Sequence, residues 1–314
     1  MTIATLATSP RRDSPAPGLV LSVVIPYFRY DVAPLARRLI EQAAAVADEV
    51  EIVFLDDGSP ESRWHEALLS IVAMAQARVC AGRLAANVGR SAIRNQLLAL
   101  ARAPYLLYLD SDMWPDHDDF LARYVAWARA GQVDVVYGGR SVATVTLTGA
   151  EFELHRVFTA KRESQPAQER RRAPAMSFYS CNFLVRRSVL EAFPLDERFT
   201  GWGWEDVEWA ARVAARHPIS HEDNPASHLG LLTVEDIMAK YRQSLGNFQL
   251  MLAMHPALVH PTALYRAAVA LRRLHLGGLM ARVTSTAAAL RALPLGWRLR
   301  ALMLYKASLY ARVV

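Results

Sequence analysis

The hydrophobic positions fall into short continuous runs separated by stretches with helical spacing. Leu19–Tyr27 is a near-continuous apolar run, the signature of a strand covered on both faces. Ala33–Val46 sets Leu35, Leu39 and Ala43 on one side of a helix. Glu51–Leu55 predicts a second buried strand and Tyr105–Leu109 a third, with helices over Ser62–Ala77 and Ala92–Ala101 between them. Asp116–Ala130 predicts a helix with Phe120, Tyr124 and Trp127 on one face, and Val133–Tyr137 a fourth strand. Gly149–Ser177 holds Lys161-Arg162-Glu163 and Glu169-Arg170-Arg171-Arg172 with few apolar residues, and reads as an exposed, mobile connection. Ser180–Leu190 and Phe199–His217 return to a folded pattern. Alternating strand and helix is the pattern of an α/β domain with a mostly parallel sheet. Ligands of such sheets bind beyond the carboxyl ends of the strands.

Composition and charge narrow this picture. The 314 residues are 53% hydrophobic and 21% charged, as in a folded globular protein. Cys80 and Cys181 are too few for a disulfide framework and form no C-x-x-C zinc motif, so a reducing cytoplasm is the expected setting. No apolar run reaches the roughly 18 residues of a membrane span. Residues 1–18 lack a signal-peptide core and read as a disordered leader. The net charge of +6 is concentrated in residues 261–314, which hold eight Arg and one Lys and no acid. The other 260 residues carry 27 basic against 30 acidic side chains. A nucleic-acid binder is expected to carry its cations on the folded domain among stacking aromatics, so no nucleic-acid partner is expected. The division read from sequence is a leader over 1–18, a folded α/β domain over 19–260 and a basic amphipathic helical tail over 261–314.

Several motifs fall at the expected strand ends. Asp110-Ser111-Asp112 follows a buried strand, and residues two apart in extended chain share a side. Two such carboxylates make a hard oxygen site for Mn²⁺ or Mg²⁺; the competing reading is a solvated turn. Asp56-Asp57-Gly58-Ser59 is an ordinary turn sequence, but its place lets a carboxylate accept from a nucleobase or ribose. Asn87-Val88-Gly89 precedes a helix on which Arg90 and Arg94 share a face, to meet phosphates or only solvent. Gly201-Trp202-Gly203-Trp204-Glu205-Asp206-Val207-Glu208 sets two tryptophans among glycines before three acids. The acids alone are explained by a helix N-terminus. The paired rings are not, and rings beside carboxylates suit a sugar. His228 follows in Ser227-His228-Leu229-Gly230, as a ligand or as a structural histidine.

In order along the chain, these motifs resemble the GT-A-fold glycosyltransferases of family 2, more narrowly bacterial enzymes related to chondroitin polymerase and galactosyl- or N-acetylgalactosaminyltransferases. The resemblance rests on Ser22-Val23-Val24-Ile25-Pro26, Asp56–Ser59, Asn87-x-Gly89 with Arg94-Asn95, Asp110-x-Asp112, Ser180-Cys181-Asn182 and Gly201–Glu208. It implies a Rossmann-like sheet flanked by helices, with a C-terminal helical extension. It also implies a UDP-sugar donor and Mn²⁺ (or Mg²⁺). Carried over by residue, Pro26, Phe28, Asp57, Asn87 and Arg94 bind the nucleoside, Asp110 and Ser111 the ribose and diphosphate side. Asp112 and His228 bind the metal. Trp202, Trp204 and Glu205 face the acceptor, and Asp206 is the catalytic base. Trp204 departs from the closer relatives, which often carry a small residue there.

The expected activity is therefore inverting, metal-dependent transfer of a sugar, galactose or N-acetylgalactosamine, to a hydroxyl acceptor in glycan or glycoconjugate synthesis. The acceptor is a saccharide, a lipid-linked sugar or another hydroxyl. A nucleotidyltransferase, and a catalytically silent, membrane-tethered nucleotide-sugar binder, stand as alternatives. The tail leaves two readings open. Trp297, Ala301, Leu304 and Ala307–Ser308 form a helical stripe that packs on the domain, or the basic helices attach peripherally to the anionic inner face of the plasma membrane.

Overall fold

The computed structural model describes residues 3–14 and 16–314. The chain divides into two compact units. The first comprises Met1–Val145, Ser164–Glu197 and Trp209–Gly230, and the second Thr146–Glu163, Arg198–Glu208 and Leu231–Val314. The second unit thus begins well before the expected tail boundary at residue 261 and recruits two earlier segments.

The first unit is built on a sheet of eight strands. In chain order the strands are β1 (Ile3–Thr8), β2 (Leu21–Tyr27), β3 (Val50–Asp56), β4 (Arg78–Leu84), β5 (Tyr105–Leu109), β6 (Met113–Pro115), β7 (Val135–Tyr137), β8 (Arg140–Ser141), β9 (Asn182–Arg186), β10 (Ile219–His221) and β11 (Ala226–His228). The large sheet runs β1-β4-β3-β2-β5-β9-β7-β10, and a small one β6-β11-β8. Strands β4, β3, β2 and β5 are parallel, and β9 inserts antiparallel between β5 and β7. The central strands are buried along almost their whole length, which is why they read as continuous apolar runs. Helices Ala33–Ala43, Arg63–Met74, Arg90–Leu100 and Phe120–Ala130 connect them, as the spacing predicts.

Two expectations change here. The leader is not disordered where it is described: β1 pairs antiparallel with β4 from Ile3↔Leu84 to Thr8↔Cys80. Met1, Thr2 and Pro15 lie outside the described residues. The physical reason is Glu51, a carboxylate fully buried at the base of β3. Such a charge is tolerated only when paired. Arg12 Nε donates to it at 3.1 Å, Arg102 Nε at 2.8 Å and Ser22 Oγ at 2.7 Å. Arg12 therefore anchors the segment that the sequence alone marks as a leader.

The 149–177 stretch is also folded. It forms helices Glu153–Phe158 and Ala167–Arg170 around a π-helical turn, Thr159–Glu163. Within the first unit Arg170 is buried, donating to the Glu222 carbonyl at 2.6 Å and lying 5.1 Å from the Tyr137 ring centroid. Its Nε donates to His221 Nδ1 at 3.3 Å, while His221 Nε2 donates to the Pro174 carbonyl at 3.1 Å. Both ring nitrogens are thereby used in the neutral tautomer. Burial, aided by the Arg170 and Arg171 charges and opposed by the Pro174 carbonyl, pushes His221 down to about 4. An unfolded histidine titrates near 6.5. Between about 6.5 and 4 the unfolded chain binds a proton that the folded chain refuses, so stability falls as the pH falls through that window. Denaturant midpoints measured from neutral pH down to pH 4 should show this loss, and His221→Gln should flatten it. An unchanged slope in the variant would remove His221 as its source.

The second unit is helical. Its helices are Glu153–Phe158, Val234–Gln243, Leu245–Met254, Pro256–Val259, Ala263–Arg273, Gly277–Ala289 and Leu295–Tyr310. Thr233 opens the first long one with a capping box to Asp236. The last helix buries Arg298, Ala301, Leu302, Tyr305, Ala307, Ser308, Leu309 and Tyr310, so its second half is covered on more than one side. Of the expected packing stripe, Ala301, Ala307 and Ser308 are buried and Trp297 and Leu304 are exposed, whereas the basic Arg298 is buried with its Nε on the Ala288 carbonyl at 3.0 Å. The tail is thus an integral part of this unit's core. No helix among the described residues is long and apolar enough to cross a membrane.

Candidate active site

In the first unit the predicted residues gather at the carboxyl ends of β2, β3 and β5. At the end of β3, Asp56 serves the turn: its Oδ1 accepts from Ser59 N at 3.0 Å and Ser59 Oγ at 2.6 Å. Gly58 is required here. Its φ is +67°, and a Cβ would stand 2.6 Å from the Ala86 carbonyl carbon. Asp57 instead reaches the next loop. Its carboxylate accepts from Val88 N at 2.7 Å, Gly89 N at 3.1 Å and Asn87 Nδ2 at 2.9 Å. Burial raises this carboxyl above its ordinary range, against the lowering pull of the Val88 and Gly89 amides. Asp57 and Asn87 are therefore one structural couple that fixes the start of the Arg90–Leu100 helix. Pro26 sits half-buried in β2. Phe28, just beyond β2, is exposed, with the Arg29 guanidinium 5.3 Å from its ring centroid.

Arg94 is almost wholly buried, and its Nη2 donates to Asp110 Oδ1 at 2.5 Å. Arg90 Nη2 lies 3.6 Å from Asp110 Oδ2. The two arginines that share a helix face thus meet the first carboxylate of the Asp-x-Asp motif. Asp112 turns elsewhere. Its Oδ2 lies 3.1 Å from His228 Nε2, because β6 and β11 pair antiparallel with Met113 opposite His228. Leu229 N also donates to the Asp112 carbonyl at 2.8 Å. Burial pushes the Asp112 carboxyl up, but the charge and hydrogen bond of His228, with Arg140 and Arg90, outweigh it and hold the group well below the usual carboxylate range. Ser111 stands between the two acids, half-buried.

Three residues near this pair carried no signal in the sequence. Tyr30 is half-buried, and burial, with the Asp112 and Asp31 charges, raises its hydroxyl to about 12. The charge of Arg140 lowers the Asp112 carboxyl. Gly230 leaves the pair its room: a Cβ there would stand 2.3 Å from Asp112 Oδ2 and 3.3 Å from His228 Nε2. Among these, only the spacing His228-x-Gly230 could have drawn notice.

Among the described residues no three His, Cys, Asp or Glu side chains converge as a metal cage. Asp112 and His228 supply two donors, an oxygen and a nitrogen, already side by side. That set suits a borderline divalent ion whose remaining positions are filled by phosphate oxygens.

The Trp-rich stretch belongs to the second unit up to Glu208. Gly201, Gly203 and Trp204 all have positive φ, at 75°, 85° and 76°. Two glycines accept this freely, whereas Trp204 must be held there. Its Nε1 donates to Tyr310 Oη at 2.8 Å, and its ring lies 5.3 Å from Phe248. Tyr310 stacks on Phe248 at 4.0 Å and shares a hydrogen bond with Ser244 Oγ at 2.7 Å. These partners tie this loop to the last helix and leave the Trp204 ring half-buried. Trp202 is half-buried beside Tyr241, with Lys240 Nζ 5.9 Å from its ring centroid. Of the three acids opening the Glu205–Ala214 helix, Glu205 and Glu208 are buried and Asp206 is not. Glu208 Oε1 lies 3.5 Å from His255 Nε2. Asp206 Oδ1 accepts from Val207 N at 2.8 Å.

Residues 22–193, more than half the chain, match the family model described as glycosyl transferase family 2. The chain belongs to glycosyl transferase family 2. It is a transferase, with the mixed sheet and flanking helices of the GT-A fold. No curated protein sequence matches it. Among solved structures it is similar to the mannosyltransferase PcManGT from Pyrobaculum calidifontis, in complex with GDP-Man and Mn²⁺. That match has 15% identity over 93% of this chain and 87% of the other, with a TM-score of 0.59. It is also similar to S. aureus TarS, at 14% identity over 94% of this chain and a TM-score of 0.50. The glycosyltransferase spans about half of that TarS chain, 55%. At such identities the likeness is one of fold.

Proposed function

We propose that this enzyme transfers a sugar from a UDP-sugar to an acceptor hydroxyl with inversion, using a divalent cation held by Asp112 and His228. The observation that carries the reading is the Asp112–His228 pair beside the Arg94–Asp110 pair, both within the family-2 framework. A Mn²⁺ or Mg²⁺ ion bound at Asp112 and His228 supplies neutralisation of the leaving diphosphate. Arg94 and Arg90 aim the Asp110 carboxylate at the ribose and diphosphate side, with Ser111 next to it. Asp57 and Asn87 fix the loop that borders the nucleoside, and Phe28 offers it an exposed ring, with Pro26 at the strand end. Trp202, Trp204 and Glu205 bind the acceptor, a saccharide, lipid-linked sugar or other hydroxyl. Asp206 takes the acceptor proton as its oxygen attacks the anomeric carbon opposite the leaving group. The complex of the similar mannosyltransferase with GDP-Man and Mn²⁺ supports the metal and the nucleotide-sugar class. Galactose or N-acetylgalactosamine is the donor sugar suggested by the narrower sequence likeness.

A panel of UDP- and GDP-sugars with Mn²⁺ tests this reading. Release of UDP with a glycosylated product is expected. Pyrophosphate release would replace it with nucleotidyl transfer, and UDP binding without turnover with a silent binder. Retention of configuration in the product would reject inversion. Gly230→Ala offers a test inside the site. Its Cβ must displace the Asp112 carboxylate or the His228 ring. Disturbing the surroundings of metal ligands costs about 10–100-fold in affinity. The Mn²⁺ concentration for half-maximal activity should rise by that amount, with melting temperature little changed.

A further inference from the structure

We propose that the solvent face of the tail helices docks on an anionic lipid bilayer. The helix Gly277–Ala289 is the key element. Its buried side is small, consisting of Ala281, Thr284 and Ala288. Its solvent side carries Leu279, 59% exposed, and Val283, 53% exposed, with Leu290, 49% exposed, at its end. Positions 279, 283 and 290 lie on one side of a helix. This inverts the usual arrangement, in which large apolar side chains face the core and polar ones face water. Leu274, 64% exposed, precedes this helix, and Trp297, 62% exposed, stands near the start of the next. A set of large apolar side chains left in water marks a surface that something else covers.

Charge decides the occupant. Arg272, Arg273, Arg282, Arg291 and Arg300 are exposed among these residues. Arg282 lies three residues from Leu279, on the same side, and the Arg300 guanidinium lies 5.6 Å from the Trp297 ring centroid. Residues 261–314 contain no acid to neutralise them. Leucine, valine and tryptophan projecting between cations fit the boundary between acyl chains and anionic headgroups. The same tail supplies the core of its unit through the buried side chains of Leu295–Tyr310, so the two readings of the tail belong to different sets of its residues. The proposal rests on this surface alone and stands apart from the metal and donor assignments.

Co-sedimentation of the full chain with phosphatidylcholine vesicles carrying increasing phosphatidylglycerol tests it. Binding should rise with the anionic fraction and fall with salt. Each basic residue near such a surface is worth a factor of about five in partitioning, so Arg272→Gln/Arg273→Gln/Arg282→Gln should lower it about 10²-fold. Leu279→Ser/Val283→Ser/Leu290→Ser should lower it at least about 10-fold through lost insertion. Thermal melts check that each variant folds, and if one does not, the other variant and the lipid and salt series decide. Equal binding to pure phosphatidylcholine, no binding at low salt, or variants that bind as the parent does would overturn the proposal. So would lipid-independent self-association that the leucine variant abolishes, because the face would then be covered by a second copy. An enzyme that turns over sugar but ignores the vesicles loses only this surface.

Discussion

Asp112→Asn is expected to lower turnover by about 10²–10³, with the fold intact. The side chain keeps its shape and its place beside His228, so little packing is lost. What it loses is charge. His228, Arg140 and Arg90 favour the ionised Asp112 carboxyl over the burial that opposes it, so the native group is an anion at neutral pH. On the proposed reading Asp112 and His228 are the protein's two donors to the cation, and an amide at 112 leaves one good one. Stabilising charge on a leaving phosphoryl oxygen is worth several kcal/mol, and each 1.36 kcal/mol is tenfold in rate. Chelation with EDTA should reproduce the loss in the parent enzyme. The His228 nitrogen favours Mn²⁺ over Mg²⁺ for its restoration. A readout independent of activity is the melting temperature: Mn²⁺ should raise it in the parent and leave Asp112→Asn unmoved. Full activity in excess EDTA would remove the metal from the mechanism and leave the Asp112–His228 pair as a structural contact.

The parts of the molecule legible in the sequence are those whose signal is local. Strands β2, β3 and β5 are buried on both faces, so their apolar runs announce them, and the acids that follow must lie at their ends. Asp57 and Arg94 were visible as motif residues, but their partners were not. Nothing along the chain says that Asp57 grips the amides of residues 88 and 89, or that Arg94 reaches Asp110. Those contacts come from strand order, which brings β3 beside β4 and β2 beside β5. The misread segments have one cause in common. Arg12, Arg170 and Arg298 look like solvated charge in sequence, yet each is buried because a carboxylate, a histidine or helix-end carbonyls need a donor there. Composition counts an arginine as polar whatever it touches. Trp204 likewise has a partner that no local signal gives, Tyr310, 106 residues away.

Asp206→Asn is expected to reduce turnover by about 10² or more while leaving UDP-sugar affinity nearly unchanged. The substitution removes the base and keeps the helix N-terminus, because an asparagine oxygen still accepts from Val207 N. General base catalysis is worth about 10²–10⁴-fold, and an alcohol needs it as the bond forms because it is too weakly acidic to ionise beforehand. Asp206 is favoured over its neighbours by exposure. Glu205 and Glu208 are buried, and Glu208 faces His255 within its own unit, so replacing Glu208 should act on stability more than on chemistry. The comparison is therefore threefold. Asp206→Asn should lose rate with an unchanged melting temperature. Glu208→Gln should lose melting temperature, with the rate falling only as folded protein is lost. Glu205→Gln should raise the acceptor KM more than it lowers kcat, as expected for a binding group. If Asp206→Asn turns over near the parent rate while either glutamate variant loses 10² in kcat without unfolding, the base is that glutamate, and Asp206 serves only to open its helix.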